Sequence, residues 1–430
     1  MRVLVITRAP WRNDNNTGNT MTNFFEGMEG VEFYSLYFRD QLPENNIALR
    51  SFAISEGQLI RNILKKTPVG KEVKCTIKTS SKNEEKVYKN AKKFGTVFLT
   101  WMRDALWTIG RWKSDSFKQY LKDINPEIVF MPVFNCCYPH RVLQFVKEQT
   151  GAKIVLFHAD DNYTLKQFSL SPFYWLYRFL LRKWVKRTVK ISSLNYAISN
   201  IQKREYEEAF DKPFKVLTKG LFFGANEKIT TENNNPLQMV FTGNIGVNRW
   251  KSLGMIASVL KDINKEKTKI EMKIYTATPI TTKMDRALNI DNASKIMGYI
   301  GSEEVASIQS NADILIHVEA MDLRNKLLVR QSFSTKIVDY FSKGKCILAL
   351  GSDDVASIDY LKSNDAAVVV CSKKELEKKL NQLIKMPEMI SEYGKKAWEC
   401  GKNYHEKSKI QCMLMEDMEK VIKQNESIAN

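Results

Sequence analysis

The stretch FTGNIGVNRWK, residues 241–251, is the most informative part of this sequence. The apolar run Met239–Thr242 is typical of a buried strand, and helical spacing starts near Ser252. Two glycines between them let the backbone approach a ligand closely, so that N–H groups can face an anion, and two cations can hold a diphosphate. These four residues are Gly243, Gly246, Arg249 and Lys251. The alternative is an ordinary strand–turn–helix with solvated cations.

Short β-branched runs alternate with helical patterns on both sides of this stretch, which is typical of βα units on a parallel sheet. Downstream, the predicted strands are Met272–Thr276, Ile314–Val318, Cys346–Ala349 and Ala367–Val370. Upstream, they are Val3–Ile6, Ile128–Phe130, Ile154–His158 and Leu194–Ile198. The predicted helices include Val142–Gln149, Leu253–Asn264, Glu303–Ser310 and Lys407–Lys423. The sequence therefore predicts an α/β fold with parallel sheets.

The chain has 430 residues, which is more than one hydrophobic core usually serves, so two domains are expected. The polar segment 224–236 has no apolar period and is the predicted linker. We expect one domain over 1–222, a second over 223–408, and a C-terminal helix within 409–430 that packs back on the first. Because open α/β sheets bind ligands at the carboxyl ends of their strands, a cleft between the domains is the predicted site. About residues 45–95, lysine-rich and weakly periodic, we predict an insertion of helices and loops.

A second informative stretch, QSFSTKIVDYFSKGKC, covers residues 331–346. Ser334 or a neighbour can cap a short helix within it. The start of this helix would offer free N–H groups, together with the hydroxyls of Ser334 and Thr335, to a phosphate. One turn further, Asp339 can accept hydrogen bonds from a ribose diol. The alternative is purely structural, with a serine cap, a buried apolar face and a solvated Asp339.

These two stretches, with IMGYI at 296–300 and ADILIH at 312–317 between them, resemble the C-terminal domain of GT-B glycosyltransferases. They are most similar to the retaining glycosyltransferase family 4, whose members often follow the pattern G-N…R…G-x-v…aD-i-l…S-x-K-x-x-E-Y…G-k-x-i-l-a. The resemblance covers about residues 237–405 and is weaker over 1–222. It implies two doubly wound, Rossmann-like domains that face a cleft, with the acceptor domain first and the nucleotide-sugar donor domain second.

The resemblance also implies roles for individual residues. The donor diphosphate would lie at the Gly243 turn and at the helix start near Thr335. The nucleobase would lie beside Tyr275, and the ribose would bind Asp339. Two residues of the first domain would close over the phosphates. The complete predicted donor-binding set is Gly18, Asn19, Gly243, Asn244, Arg249, Lys251, Tyr275, Gly298, Tyr299, Glu319, Ser334, Thr335, Lys336 and Asp339.

The sequence departs from the family pattern at several positions. Asp339 stands where the usual ribose ligand is Glu, and Gln331 stands where many members carry a second Glu. Asn244 replaces an arginine that often follows the first glycine of the turn, and the first loop has Gly18 rather than a pair of glycines. These departures bear on the identity of the donor, and they leave open a non-catalytic relative.

His158 and Asp160 lie at and just after the end of the predicted strand Ile154–His158, and they are the candidate catalytic residues. Retaining transfer on this fold needs no protein nucleophile, because the donor's own phosphate can assist a front-side attack. His158 would then orient a sugar hydroxyl or the acceptor. The alternatives are a structural His158 and a solvated loop at Asp160–Asp161. Glu319 follows another predicted strand and is a candidate ligand contact.

The formal net charge of +18 implies an anionic partner. Residues 171–190 and 98–112 interleave aromatic residues with Arg and Lys, as do helices that lie on anionic membranes. The alternative is that their apolar faces belong to the core. We find no zinc or RNA-recognition pattern, which argues against nucleic acid as the partner. Because no run approaches the ~20 apolar residues of a membrane span, we expect a cytoplasmic protein, peripheral on the inner face of the cell membrane.

Seven cysteines without a CxxC pair, together with four histidines, are typical of reduced thiols rather than of a metal site. No Asp-x-Asp motif occurs, so we expect no cofactor and metal-independent binding of a UDP- or GDP-linked sugar. The predicted reaction transfers this sugar, with retention, to a lipid-linked glycan acceptor during synthesis of a bacterial surface polysaccharide. The alternatives are a nucleotide-sugar epimerase on the same fold and a non-catalytic scaffold that binds a partner transferase.

Overall fold

The computed structural model describes residues 1–12, 16–73, 96–224 and 232–423. Its internal contacts divide the chain into two compact units, each with its own sheet. The first unit comprises the described residues within 1–165, 169–217 and 409–430, and the second comprises those within 166–168 and 218–408. The chain thus enters the second unit shortly before residue 222, the predicted end of the first domain.

Eight strands form the sheet in the described part of the first unit. They are β1 (Arg2–Thr7), β2 (Glu32–Tyr37), β3 (Ala48–Ala53), β4 (Lys71–Val73), β5 (Ile128–Pro132), β6 (Lys153–His158), β7 (Leu194–Ala197) and β8 (Lys215–Val216). Their order is β4-β3-β2-β1-β5-β6-β7-β8, and neighbouring strands are parallel except for β3 and β4. Strands β1, β5 and β6 are apolar and almost wholly buried, as expected of a parallel sheet covered on both faces.

Helices follow most of these strands. They are α1 (Asn16–Phe25), α2 (Glu56–Lys65), α3 (Thr96–Ile109), α4 (Asp115–Ile124), α5 (Tyr138–Thr150), α6 (Pro172–Ile191) and α7 (Asn200–Phe210). In α3, the buried carboxylate of Asp104 accepts hydrogen bonds from the amides of Cys137 at 3.0 Å and Tyr138 at 2.8 Å. Because Cys137, the N-cap residue of α5, makes no side-chain capping bond itself, Asp104 satisfies that helix end and fixes α3 to it.

The second unit is a parallel sheet with strand order β11-β10-β9-β12-β13-β14. These strands, in chain order, are Leu237–Thr242, Ile270–Tyr275, Ser294–Gly298, Ile314–Val318, Cys346–Leu350 and Val368–Val370, numbered β9 to β14. The helices, numbered α8 to α15, are Arg249–Ile263, Thr282–Leu288, Ser302–Ser310, Leu323–Val329, Lys336–Phe341, Ala356–Ser363, Lys373–Lys385 and Glu388–Tyr404. Residues from β9, β10, β12, β13 and β14 make up most of the buried apolar core.

The last described helix, α16 (Lys407–Lys423), belongs with the first unit from residue 409 onward. The carboxylate of Asp417 accepts a hydrogen bond from the hydroxyl of Tyr196 at 2.8 Å. It also forms an ion pair with Lys215 at 2.5 Å. Gln411 donates to the carbonyl oxygen of Phe24 at 3.1 Å. These contacts connect the end of the chain to β7, β8 and α1.

The predicted α/β fold with two parallel sheets is confirmed. The prediction that residues 45–95 form an insertion of helices and loops is wrong for residues 45–73. There, β3 and β4 extend the first sheet, and α2 lies between them in the chain. Residues 74–95, and residues 225–231 of the predicted linker, lie outside the described part of the chain. The acceptor and donor roles of the two domains remain predictions.

Candidate functional site

In the glycine turn after β9, three backbone amides have hydrogen-bond partners among the described residues. Gly243 has φ +135° and donates its N–H to the carbonyl of Tyr275 at 2.8 Å. The N–H of Ile245 donates to the hydroxyl of Thr278 at 3.3 Å, and that of Gly246 donates to the Asn244 side chain at 2.6 Å. The N–H groups of both glycines, which the sequence predicts to face an anion, therefore have partners within the unit. A ligand here would depend on side-chain charge.

Helix α8 also begins without free amides in its first turn. The N–H groups of Arg249, Trp250 and Lys251 donate to loop carbonyls at 3.1, 3.1 and 3.0 Å, respectively. Asn248 is the N-cap residue, has φ 58°, and makes no side-chain capping bond. Lys251 is exposed on α8, with its ammonium 5.7 Å from the ring centroid of Trp250. It does not line the pocket described below, so the expected Lys251 contact with a diphosphate lacks support within this unit.

Lys336, the first residue of α12, brings a cation to the glycine turn. Its ammonium donates to the carbonyl oxygen of Thr242 at 3.1 Å and lies 5.6 Å from the ring centroid of Phe241. A Cβ atom at position 243 would lie 1.6 Å from the Lys336 nitrogen, so only glycine leaves room for this lysine. The turn and the second informative stretch therefore meet at one point.

Burial lowers the pKa of Lys336 to about 8, and the nearby cation of Arg249 contributes to the decrease. Glu319 and Asp339 oppose this effect without cancelling it. The charged ammonium thus costs the unit free energy at neutral pH, because its desolvation is incompletely offset by the surrounding groups. A bound anion would offset this cost.

Arg249 is paired with a buried acid. Its guanidinium donates to the Glu319 carboxylate through Nη2 at 2.9 Å and Nε at 3.1 Å. Glu319 is 3% exposed, and burial raises its pKa while Arg249 opposes the rise. The expected contact of Glu319 with a ligand is corrected here, because the carboxylate is covered and any influence on a ligand would pass through Arg249.

His317 lies beside this pair, with its Nε2 atom 3.5 Å from a Glu319 oxygen. Burial lowers the pKa of His317 to about 3, and the cations of Arg249 and Lys336 contribute. The imidazole is therefore neutral at physiological pH. Glu319 and Asp339 therefore balance only part of the positive charge of Lys336, to which the nearby Arg249 adds.

Asp339, the predicted ribose ligand, forms an ion pair at 2.5 Å with Lys219, a residue that the sequence did not indicate. Its carboxylate is partly exposed, so it retains acceptor capacity. Of the residues predicted to cap this helix, Ser334 or a neighbour, the structure makes Thr335 the N-cap residue of α12, without a side-chain capping bond. The amide of Ser334 instead donates to the hydroxyl of Ser357 at 3.1 Å.

A pocket of about 370 Å³ opens beside the glycine turn at the carboxyl ends of β9 and β10. Four of the predicted donor-binding residues line it: Gly243, Asn244, Tyr275 and Tyr299. Gly298, with φ +87°, accepts a hydrogen bond from the amide of Thr276 at 2.8 Å and ends β11 just before Tyr299. The remaining lining residues are Thr242, Thr276, Ala277, Thr278, Pro279, Ile300 and Val305. The pocket is therefore largely apolar, with hydroxyls and backbone groups at its edge.

Gly18 and Asn19 lie in α1 of the first unit. A Cβ atom on Gly18 would lie 1.8 Å from the carbonyl oxygen of Arg12, so a backbone crossing at this point requires the glycine. Asn19 is exposed. Their roles toward a donor remain predictions.

His158 lies in the core of the first unit and not at an open site. It is fully buried, with ring centroids 5.1 Å from Tyr206 and 5.3 Å from Phe214. Neither ring nitrogen has a hydrogen-bond partner among the described residues, and burial lowers the pKa of His158 to about 3. The predicted role of His158 in orienting a sugar is therefore corrected to a core residue.

The two acidic residues after His158 differ in their exposure and in their contacts. Asp160 is exposed, and its carbonyl oxygen accepts a hydrogen bond from Gln202 at 3.0 Å. Asp161 is buried in an ion pair with Arg178 at 2.9 Å, with side-chain exposures of 3% and 6%. The structure gives Asp161 a stabilising role, and the catalytic role of Asp160 remains a prediction.

No group of three or more His, Cys, Asp or Glu side chains among the described residues is placed to hold a metal ion. None of the helices in the ranges that the structure describes has the length and hydropathy needed to cross a membrane.

No protein-family model matches the sequence, and a search of curated proteins finds no match. Solved structures resemble it over nearly their full length. HepE of Anabaena in complex with UDP has a TM-score of 0.63 at 11% identity, covering 98% of this chain and 100% of HepE. Sucrose-phosphate synthase from Thermosynechococcus elongatus has a TM-score of 0.62 at 10% identity, covering 98% and 99%.

The E. coli trehalose-6-phosphate structure bound with UDP-2-fluoro glucose has a TM-score of 0.60 at 9% identity, covering 97% of this chain and 99% of that one. These structures have the GT-B fold. At such identities the similarity establishes the fold, and membership of glycosyltransferase family 4 stays a prediction. The chain is therefore an α/β protein with the GT-B fold.

Proposed function

We propose that this chain is a glycosyltransferase that takes a sugar from a nucleotide diphosphate sugar. The observation that carries the proposal is the ammonium of Lys336, which is half-buried and lies against Gly243, and Gly243 itself lines the 370 Å³ pocket. In the described part of the unit its one hydrogen bond goes to a carbonyl, and its pKa is lowered to about 8. A diphosphate at this position would supply the missing negative charge.

In the proposed complex, the nucleobase lies in the pocket beside Tyr275 and Tyr299, and the diphosphate meets Lys336 across Gly243. The ribose hydroxyls donate to Asp339, whose carboxylate is oriented by Lys219. The donor would be UDP- or GDP-linked. HepE of Anabaena, which shares the fold, has been determined in complex with UDP-glucose, which favours UDP as the first nucleotide to test.

The proposed reaction retains the configuration of the sugar. The bond between the anomeric carbon and the donor diphosphate breaks as the acceptor hydroxyl oxygen bonds to that carbon from the same face. The hydroxyl proton passes to an oxygen of the leaving diphosphate, so no protein nucleophile is required. Lys336 would stabilise the negative charge that develops on the diphosphate, and the proposal requires no metal ion.

We also propose a lipid-linked glycan acceptor, used for a bacterial surface polysaccharide at the inner face of the cell membrane. Helix α6 of the first unit supports membrane contact. The first half of its exposed face is apolar, and the second half is basic. The residues concerned are Phe173, Leu176 and Phe179 in the first half, and Lys183, Lys186, Arg187 and Lys190 in the second. Cations of this kind contribute about 1 kcal/mol each near an anionic surface.

The donor site is tested by the thermal stability of the full chain in the presence of nucleotide diphosphates and their sugars. A ligand at ~100 times its Kd should stabilise the protein by ~2.7 kcal/mol. Lys336→Met should weaken binding by roughly tenfold to a hundredfold, because a hydrogen bond to a charged group contributes about 1.5–3 kcal/mol. Lys283→Met removes an exposed lysine of the same unit and is the matched control.

Each outcome of this experiment favours a different function or a different binding site. Binding of one base, lost in Lys336→Met and kept in Lys283→Met, supports the donor site, and unchanged affinity in excess chelator supports metal independence. Equal affinity in both variants would place the nucleotide elsewhere. No stabilisation by any nucleotide would favour a non-catalytic scaffold, and interconversion of a nucleotide sugar without an acceptor would favour an epimerase.

A further inference from the structure

A second pocket, of about 670 Å³, lies in the first unit among α3, the loop 110–113, α5 and α6. We call it the tryptophan pocket. Its characteristic lining residues are Trp107, Trp112, Trp184, Arg111, Lys113 and Arg141. Nothing in the proposed donor chemistry uses it, because every residue of the donor pocket belongs to the second unit.

The aromatic wall of this pocket is rigidly held. Trp107 stacks on Tyr138 with ring centroids 4.5 Å apart, and Trp112 packs against Phe145 at 5.4 Å. The indole N–H of Trp112 donates to the carbonyl oxygen of Trp107 at 3.0 Å. Trp107 is 1% exposed, yet its own indole N–H has no partner among the residues that the structure describes. A buried donor without a partner is costly, so this one is a candidate for a hydrogen bond to a ligand or to water.

The pocket also carries an excess of positive charge. Arg111, Lys113 and Arg141 contribute three cations, and Glu148 is the one acid among the described lining residues. The Arg141 guanidinium lies 5.2 Å from the ring centroid of Trp184, and the Lys113 ammonium lies 5.0 Å from that of Phe145. Within the described ranges, none of the three cations forms an ion pair with a carboxylate. The pocket therefore suits an anion.

Exposed apolar side chains on α3 and α6 indicate that the anion is part of a lipid. They are Phe98, Met102 and Ile109 on α3, and Phe173, Leu176 and Phe179 on α6. Helix α3 packs against α6, and both contribute to the tryptophan pocket. Tryptophan and arginine beside exposed apolar residues are typical of the headgroup region of a membrane surface. A soluble anion would gain nothing from these apolar side chains.

We propose that the tryptophan pocket binds the phosphate headgroup of an anionic phospholipid. Arg111, Lys113 and Arg141 face the phosphate, and the apolar side chains of α3 and α6 contact the start of the acyl chains. The inference rests on the membrane association in the proposed function and gives it a specific headgroup site. It is independent of the donor pocket.

The test titrates the full chain with short-chain phosphatidylglycerol below its critical micelle concentration and follows tryptophan fluorescence. We expect a saturable change that phosphatidylcholine of the same chain length does not produce. Arg111→Gln with Arg141→Gln should weaken binding roughly 25-fold, about fivefold for each cation. Arg111→Gln alone should weaken it about fivefold, and this residue is exposed, so the single variant protects the test against a folding defect.

The matched control is Lys122→Gln with Arg204→Gln, which removes the same charge from exposed positions of the same unit outside the pocket. If the two double variants lost the same lipid affinity, the effect would come from net charge alone, and the proposed site would be wrong. Saturation by phosphatidylcholine would overturn headgroup recognition, and equally tight binding of glycerol phosphate would overturn a lipid source. Lys336→Met should bind the lipid normally, and the Arg111 and Arg141 variants should bind nucleotide normally, so failure of one proposal is distinguishable from failure of the other.

Discussion

Two strand ends, one in each unit, are predicted from the sequence to carry site residues, and they differ in the structure. After β6, Asp161 accepts hydrogen bonds from the amides of Tyr163 at 3.1 Å and Thr164 at 2.8 Å and pairs with Arg178. After β9, the ammonium of Lys336 has one carbonyl partner and a lowered pKa. The acid that follows β6 is compensated within the protein, whereas the cation beside the end of β9 is only partly compensated.

A position at the carboxyl end of a strand is therefore insufficient evidence for a ligand site. The topology of an α/β sheet brings residues of many kinds to that edge, and some of them only stabilise the loops. A ligand site is better recognised by charge that remains uncompensated after the partners from the protein are counted.

The largest effect is expected at the satisfied strand end. Arg178→Met should lower the free energy of unfolding by about 3–5 kcal/mol, because it removes the cation that is paired with the buried carboxylate of Asp161. Urea denaturation measures this loss, and Lys183→Met, exposed on the same helix, should change stability by less than about 0.5 kcal/mol. A folded Arg178→Met protein of normal stability that has lost nucleotide binding would reverse the contrast.

Gly243→Ala tests the strand end that lacks an anion. The new Cβ would lie 1.6 Å from the Lys336 nitrogen, so the lysine must move away from the turn. We expect nucleotide affinity to fall by about the same factor as in Lys336→Met, which corresponds to about 1.5–3 kcal/mol. Calorimetric titration of both variants and of the double variant measures this. Additive losses in the double variant would contradict a shared origin.

His158→Phe tests whether His158 is a core residue. The imidazole has its pKa lowered from 6.5 to about 3, so its stabilising contribution is complete above pH 6.5 and is lost as the pH falls toward 3. At pH 5 the wild type should have lost about 2 kcal/mol through this residue, which phenylalanine cannot lose. The variant should therefore match or exceed wild-type stability at pH 7.5 and exceed it at pH 5.

Thermal unfolding at these two pH values measures the difference between the proteins. Phenylalanine suits the site because His158 packs against Tyr206 and Phe214 without a hydrogen bond to any described residue. A stable His158→Phe protein that binds nucleotide but transfers no sugar would restore the catalytic role predicted from the sequence.

The parts of the fold that local sequence patterns encode could be predicted. Continuous apolar runs such as Val3–Ile6 and Ile314–Val318 are strands because parallel sheets are buried on both faces. The predicted helix Lys407–Lys423 has the bounds of α16. Strands β2 and β3 were not predicted, because EFYSLY and ALRSFA mix polar and apolar residues without a clear period. Their neighbours in the sheet select the strand conformation.

The site was predictable in outline, and its chemistry was not. Gly243, Tyr275 and Tyr299 were expected near a ligand, and the structure brings them to one pocket. The partners of the charged groups come from distant parts of the chain: Lys336 meets a carbonyl 94 residues away, and Lys219 meets Asp339 across 120 residues. No local pattern encodes such pairings, so the sequence overestimated the free amides of the turn and missed Lys219.

The smallest effect is a pH dependence at the strand end that lacks an anion. The Lys336 pKa of about 8 means that the free protein loses this charge as the pH rises through 8, whereas an ordinary lysine keeps it until above 10. Affinity for a nucleotide diphosphate sugar should be constant between pH 6.5 and 7.5 and fall by up to about tenfold between pH 8 and 9. Lys336→Arg should show no fall, because a guanidinium stays charged throughout this range. Parallel curves for the two proteins would assign the dependence to another group, and a flat curve for the wild type would mean that the diphosphate does not meet Lys336. A fall that only the lysine shows would establish that the uncompensated charge at β9 is the one that the donor neutralises.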